Sequence, residues 1–240
     1  MLDIAFRKLL VGLCLGLATL TSSQAAAQAG VTNLSSTNKS GVLVIGDSML
    51  AWHKVSGRSI GDVISRKLNR TVVDRSIVAA RFNYALPISG AMGLNISKQY
   101  RKGAWDWVVI NGGGNDLWFG CGCLACDGVI DRLITKDGSS GKIPKLVTKI
   151  QNDGANVIFV GYLHSPGVAS IIDHCRDEGL ELDRRLSALA SRNQRLEFIS
   201  LSGLIPYGDK SFHSLDMIHP SLKGSSIIGE KIAEVIRRKR

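Results

Sequence analysis

The chain has 240 residues, 45% hydrophobic and 21% charged, and its 30 Lys and Arg against 20 Asp and Glu give a formal net charge of +10. The length suits one sizeable core, and the chain shows no internal repeat and no linker. A basic balance attracts anionic surfaces, but no recognition motif and no aromatic residues interleaved with basic ones accompany it, so no nucleic-acid partner is expected.

The front of the chain carries an address. Arg7 and Lys8 precede the apolar run Leu9 to Leu20, and Ala25, Ala26, Ala27, Gln28 and Ala29 follow, the three-part layout of a secretory signal peptide. We expect a signal over 1–27, cut after Ala27 or Ala29, which makes the protein periplasmic or secreted. The run is short for a membrane span, so an uncleaved anchor is the lesser alternative and no transmembrane span is expected in the mature chain. Cys14 falls within the signal. A Ser-, Thr- and Asn-rich leader over 28–40 then leads to a single domain over 41–240. Loss of the signal lowers the charge to +9, part of it in the Arg237, Arg238, Lys239, Arg240 run, and an exported protein so charged is drawn to anionic envelope surfaces.

Within the domain the pattern alternates. Strands are expected at 42–46, 71–77, 105–111, 156–161 and 196–201. Helices are expected at 60–68, near 90–101, near 142–153, near 171–192, and at 221–238. The apolar, β-branched strand Val42 to Ile45 reads as buried on both faces. Strands alternating with helices predict an α/β fold with a parallel sheet and helices on both faces. Ligands of such sheets bind beyond the carboxyl ends of the strands.

Three polar segments fall where that rule puts a site. Gly46, Asp47 and Ser48 follow the first strand and precede a helix, whose free N–H groups favour a developing anion. Gly113, Gly114, Asn115 and Asp116 follow the strand at 105–111; glycines there let the backbone approach a ligand, and Asn115 can aim a side-chain N–H at the same mouth. Asp216 and His219 share one loop, closed by Pro220. A carboxylate that binds Nδ1–H leaves Nε2 as a base toward Ser48, the division of labour in a Ser/His/Asp triad. Each segment alone has an ordinary reading as a turn or cap; the conjunction carries the weight. His53, His164, His174 and His213 compete for the role of base, though each is more often a surface or packing histidine than a catalyst. Trp118 and Phe119 are candidates to line an acyl pocket or to fill the core.

These segments resemble the SGNH (GDSL-like) hydrolase family, whose blocks read Gly-Asp-Ser, an early Gly, Gly-x-Asn-Asp and Asp-x-x-His. The resemblance runs from about Gly41 to the C-terminus. It implies a three-layer α/β/α sandwich on a five-stranded parallel sheet in flavodoxin-like order. It also implies a carboxylic ester hydrolase that needs no cofactor and no metal. By the same resemblance Ser48 is the nucleophile, His219 the general base and acid, and Asp216 its orienting carboxylate. The backbone at Ser48 and Ala79, with the Asn115 side chain, forms the oxyanion hole. Asp47 and Gly113 support their loops. One block departs: where the family has an oxyanion-hole glycine the chain reads Val78, Ala79, Ala80, Arg81, and we align Ala79 with the glycine and keep Ala80 as the other choice. An alanine keeps its N–H, so the donor survives if its φ and ψ allow it.

The expected substrate is an acyl ester, O-acetyl esters included, of a lipid, carbohydrate or small molecule, opened through an acyl-enzyme. Acyl transfer by the same mechanism is one alternative, and a catalytically weak glycan- or lipid-binding protein is another. Four cysteines remain after the signal: Cys121, Cys123, Cys126 and Cys175. In an oxidising compartment these are disulfide candidates, with three possible pairings. A bridge from the 121–126 loop to Cys175 would stiffen a wall of the site. A zinc site using these cysteines with His174 is the rival, weakened by the lack of a repeated Cys-x-x-Cys spacing.

Overall fold

The computed structural model describes residues 41–168 and 170–239; the expected signal peptide and leader lie outside them. The elements run β1 (Gly41–Ile45), α1 (Ser48–Ala51), α2 (Ile60–Leu68), β2 (Val72–Asp74), β3 (Trp105–Ile110), α3 (Gly114–Cys121), α4 (Asp127–Leu133), α5 (Lys142–Asn152), β4 (Asn156–Val160), α6 (Arg176–Ser191), β5 (Leu196–Ile199) and α7 (Leu222–Arg238). Shorter helical turns stand between them. The five strands form one all-parallel sheet in the order β2-β1-β3-β4-β5, the flavodoxin-like order expected.

Strand periodicity builds two cores. Leu43 and Ile45, Val108 and Ile110, and Val157 and Phe159 point to one face of the sheet. Val42 and Val44, Trp107 and Val109, and Ile158 and Val160 point to the other. The first face is covered by α3 to α6, where Ile143, Leu146, Val147 and Ile150 present an i, i+3, i+4, i+7 stripe. The second is covered by α2 and α7 through Ile60, Ile64, Ile228, Ile232 and Ile236. Caps fix the starts of these helices. Ser59 and Asp62 form a reciprocal capping box on α2, and the Ser221 hydroxyl accepts from Gly224 N at the start of α7.

The sequence-derived boundaries hold for α2, β1, β3, α5, β4 and α7 to within a residue or two. The strand expected at 71–77 is regular only over Val72–Asp74; Arg75 N and Ile77 N still donate to Val44 O and Gly46 O, but the chain turns between them with Ser76 N donating to Asp74 Oδ1. The helix expected near 90–101 is broken: Gly93 takes φ +111°, and the regular turns are Pro87–Ser89 and Ile96–Gln99. The helix expected from 171 starts at Arg176, after a tight turn at Asp173–Cys175. Helices α3 and α4 were not expected: α3 opens on the Gly-Gly-Asn-Asp segment read as a turn, and α4 is only seven residues long. Arg185, fully buried on α6, ties α4 to it by donating from Nη1 to Asp131 Oδ1 (2.5 Å) and to Ile134 O (2.8 Å).

The crossing of α2 and α7 leaves no room at Gly229, where a Cβ would stand 2.6 Å from the Val63 Cβ. Gly229→Ala should therefore destabilise the protein by about 1–3 kcal/mol despite alanine's better helix propensity. Gly128→Ala, on α4 with only an arginine tip at 3.8 Å, should be neutral or stabilising. Urea unfolding of the two variants checks this.

Candidate active site

The expected site residues converge at the carboxyl ends of β1 and β3. At β1, Gly46 is held by an amide pair with buried Gln99: Gly46 N donates to Gln99 Oε1 (2.6 Å), and Gln99 Nε2 donates to Gly46 O (2.8 Å) and Gly93 O (2.8 Å). Asp47, 1% exposed, caps α1 by accepting from Met49 N (3.0 Å), and the Tyr162 hydroxyl donates to its other oxygen. Burial raises the Asp47 carboxyl to about 6 against these hydrogen bonds. Burial, with the adjacent Asp47 charge, drives the Tyr162 hydroxyl well above its ordinary value. Ser48 is the first residue of α1 and faces a cleft of about 620 Å³.

At β3, Gly113 takes φ +114°, which an L side chain rarely adopts, and a Cβ on Gly114 would strike the Tyr162 ring at 2.6 Å. The chain can then start α3 tight against the sheet. Asn115, expected in a turn, lies in the first turn of α3; it lines the cleft and donates from Nδ2 to Ala80 O (3.1 Å). The buried Asp116 carboxylate accepts from Phe82 N (2.9 Å) and Asn83 N (2.6 Å), although burial raises its pKa. These two side chains pin the 79–83 loop to α3.

The two alanines of that loop are placed differently. Ala80 is buried and its N–H is spent on Ile77 O (3.2 Å), whereas Ala79 lines the cleft with φ +64°. Ala79 thus holds a left-handed conformation that suits glycine, at a cost on the order of 1 kcal/mol.

In the third segment, His219 Nδ1 lies 2.6 Å from Asp216 Oδ2. The other carboxylate oxygen accepts from Ile218 N and His219 N, both at 3.0 Å. Burial opposes the charge on Asp216, but the His219 ring and the two amides prevail and hold its pKa below the ordinary range. Met217, at φ +56°, makes the turn that folds the carboxylate onto the ring.

Trp52, which no sequence argument singled out, stacks on the His219 ring with centroids 3.7 Å apart and planes within 7°. Its Nε1 donates to Ser214 Oγ (3.0 Å), which donates to Pro220 O (2.9 Å). Trp52 N in turn donates to Ser48 O (2.8 Å), so Ser48 and the ring over His219 belong to one turn of chain. Four-residue spacing was the available signal, but a tryptophan after a short helix reads equally as core.

Of the competing histidines only His164 also lines the cleft, and its ring faces Asp183. His53 Nε2 bonds Pro220 O (3.0 Å), and His164 Nε2 lies 3.6 Å from Asp183 Oδ2. His213 is buried, which lowers its pKa, and His174 sits beside Cys175. The cysteines pair Cys121–Cys126 and Cys123–Cys175. Cys123, His174 and Cys175 lie within 4.8 Å of one another, but both sulfurs are in a disulfide and offer no thiolate. The second bridge lines the cleft with Trp118, Phe119, Ile172, Leu180 and Tyr207.

The family model for the GDSL-like lipase/acylhydrolase family matches residues 44–227. No curated protein matches the chain by sequence. Solved structures share the fold. A candidate SGNH hydrolase from Slackia heliotrinireducens superposes with a TM-score of 0.53 at 16% identity, over 82% of this chain and 98% of that one. TesA gives 0.57 at 19%, over 82% and 98%. A family two carbohydrate esterase from Clostridium thermocellum, in complex with cellohexaose, gives 0.53 at 17%, over 83% and 64%. With the family model spanning all three motif segments, the chain belongs to the GDSL-like lipase/acylhydrolase family and is an ester-hydrolysing enzyme.

Proposed function

We propose that the protein is an exported serine esterase that hydrolyses acyl esters with an apolar acyl group through an acyl-enzyme. One observation carries the reading: His219, held by Asp216 at 2.6 Å, lines one cleft with Ser48, Ala79 and Asn115. In this reading Ser48 Oγ attacks the ester carbonyl carbon while His219 Nε2 takes its proton. Asp216 holds the Nδ1–H tautomer and stabilises the imidazolium. The oxyanion receives N–H groups from Ser48 and Ala79 and one from Asn115. A carboxamide has two N–H donors, and bonding of one to Ala80 O aims the other. His219 then protonates the departing alcohol, and water repeats the sequence on the acyl-enzyme.

The wall of Trp118, Phe119, Ile172, Leu180 and Tyr207 supports an apolar acyl group, and the cleft volume falls within the range of small-molecule sites. Two disulfides support passage through an oxidising compartment, as the N-terminal pattern does. The left-handed Ala79 argues against the weak-binder alternative, because the backbone takes there the conformation a glycine would supply.

The test is fluorophosphonate labelling and p-nitrophenyl ester turnover. Ser48→Ala should abolish both, and His219→Gln should cost at least about 10³-fold in kcat. A folded wild type that is neither labelled nor active would overturn the reading.

Trp52 acts in this scheme as a positioning residue that limits tilt of the His219 ring. Trp52→Ala should lower kcat about tenfold or more with little change in KM, and Trp52→Phe should restore most of it. The effect should be less than additive with Asp216→Asn, which acts on the same ring.

Burial of Asp47 predicts a pH dependence of stability. Its folded pKa, about 6, lies above the ordinary 3.8, so its contribution is fully present below about pH 4 and is lost as pH rises through 6. Asp47→Asn removes the titration, so the stability difference between wild type and variant should shift against the wild type between pH 4 and 7. Denaturant unfolding across that range measures it.

A further inference from the structure

The turn that carries Asp216 and His219 is held by two separate stretches of chain. One is the turn that follows Ser48: Trp52 stacks on the His219 ring and donates to Ser214 Oγ, and His53 Nε2 bonds Pro220 O. The other supplies a single hydrogen bond, in which Ser170 Oγ donates to Met217 O (2.8 Å). Among the described residues no other hydrogen bond from outside the loop reaches residues 215–218. The oxygen it grips is well chosen. Met217 O and Ile218 N share one peptide plane, so a donor on the oxygen also fixes the N–H, and that N–H donates to Asp216 Oδ1 (3.0 Å). Met217 itself is left-handed at φ +56°, a conformation that a residue other than glycine keeps only where its surroundings enforce it.

Ser170 is anchored in its turn. Its hydroxyl accepts from Ile172 N (3.4 Å) while it donates to Met217 O, so both of its roles are filled. Asp173 N donates to Ser170 O (3.3 Å) and Cys175 N to Ile172 O (2.9 Å), which winds the chain into the tight turn at Asp173–Cys175. Ser165 Oγ donates to Asp173 Oδ1 and accepts from Gly167 N (3.0 Å), drawing the start of this stretch to its end. Cys175 is bridged to Cys123, whose N–H donates to Leu117 O (3.2 Å) on α3, the helix that also carries Asn115. A line of contacts therefore runs from the helix of Asn115, through the bridge and Ser170, to the peptide that holds Asp216. Trp52 makes the matching link from the turn of Ser48.

We propose that Ser170 is a positioning residue for Asp216 and His219, and that the Cys123–Cys175 bridge is the fixed point from which it acts. The inference rests on the esterase reading for the roles of Asp216 and His219. Ser170 does not line the cleft, whereas Ile172, Asp173 and Cys175 do. Its hydroxyl therefore acts through the peptide at Met217 and not by touching substrate. Loss of the hydroxyl frees that peptide to rotate, which withdraws the Ile218 N–H from Asp216 and lets the carboxylate drift from the ring. Small displacements of a catalytic group lower the rate steeply while leaving ground-state binding intact, so the loss belongs in kcat.

Steady-state kinetics on p-nitrophenyl butyrate, with urea unfolding to confirm that each variant is folded, tests it. Ser170→Ala should lower kcat about tenfold and move KM by less than about twofold. Ser170→Thr keeps the hydroxyl and should stay within about threefold of the wild type. Cys123→Ala/Cys175→Ala should lose about threefold or more in kcat, and adding Ser170→Ala to it should cost less than Ser170→Ala costs alone. Cys123→Val/Cys175→Ala takes its place should the first not fold. A second readout needs no turnover: the deshielded Nδ1 proton between His219 and Asp216, followed by proton NMR, should be broader in Ser170→Ala than in the wild type and should recover in Ser170→Thr. An unchanged kcat or an unchanged proton signal in Ser170→Ala, a loss carried by KM, or a threonine variant as poor as the alanine one overturns the role of Ser170. Full additivity with the bridge variant overturns the part given to the bridge. A folded wild type without turnover overturns the esterase reading alone, and the proton signal then decides whether Ser170 holds the pair.

Discussion

The strand order decides where chemistry is possible in this protein. The chain leaving β1 passes through α2 to β2 on one side, and the chain leaving β3 passes through α3 to α5 to β4 on the other. The two exits diverge and open a crevice between neighbouring strands that no connection fills. Ser48 and Asn115 stand on its two sides because each follows one of those strands. The loop bearing Asp216 and His219 arrives from the far end of the chain, anchored by the Ser221 cap of α7.

Opening a crevice strips loops of regular hydrogen bonds, and buried polar side chains replace them. Gln99 acts as a surrogate peptide for Gly46, Asp116 supplies acceptors for Phe82 N and Asn83 N, and Asp47 takes the Met49 amide and the Tyr162 hydroxyl. A buried donor or acceptor without a partner costs on the order of 1–3 kcal/mol, so each group favours a single loop geometry. The raised carboxyl of Asp47 records the cost of burying that cap. Local rigidity is bought with electrostatic strain. The Cys123–Cys175 bridge performs a similar service covalently for the outer wall.

The alternation of apolar strands and amphipathic helices was legible in the sequence because burial imposes periods of two and 3.6 directly on residue order. It gave the fold class, the main helices and the three motif loops at the strand ends. Gly-Asp-Ser, Gly-Gly-Asn-Asp and Asp-x-x-His were readable because each holds its groups within a few residues. The fold alone revealed Trp52 over His219, Gln99 behind Gly46 and the cysteine pairing. Each is a meeting of segments distant in sequence, and no local pattern encodes which distant partner arrives. Ala79 shows the boundary between the two. The sequence said that a glycine was missing, but only the packing of its loop against α3 decided that an alanine would adopt φ +64° in its place.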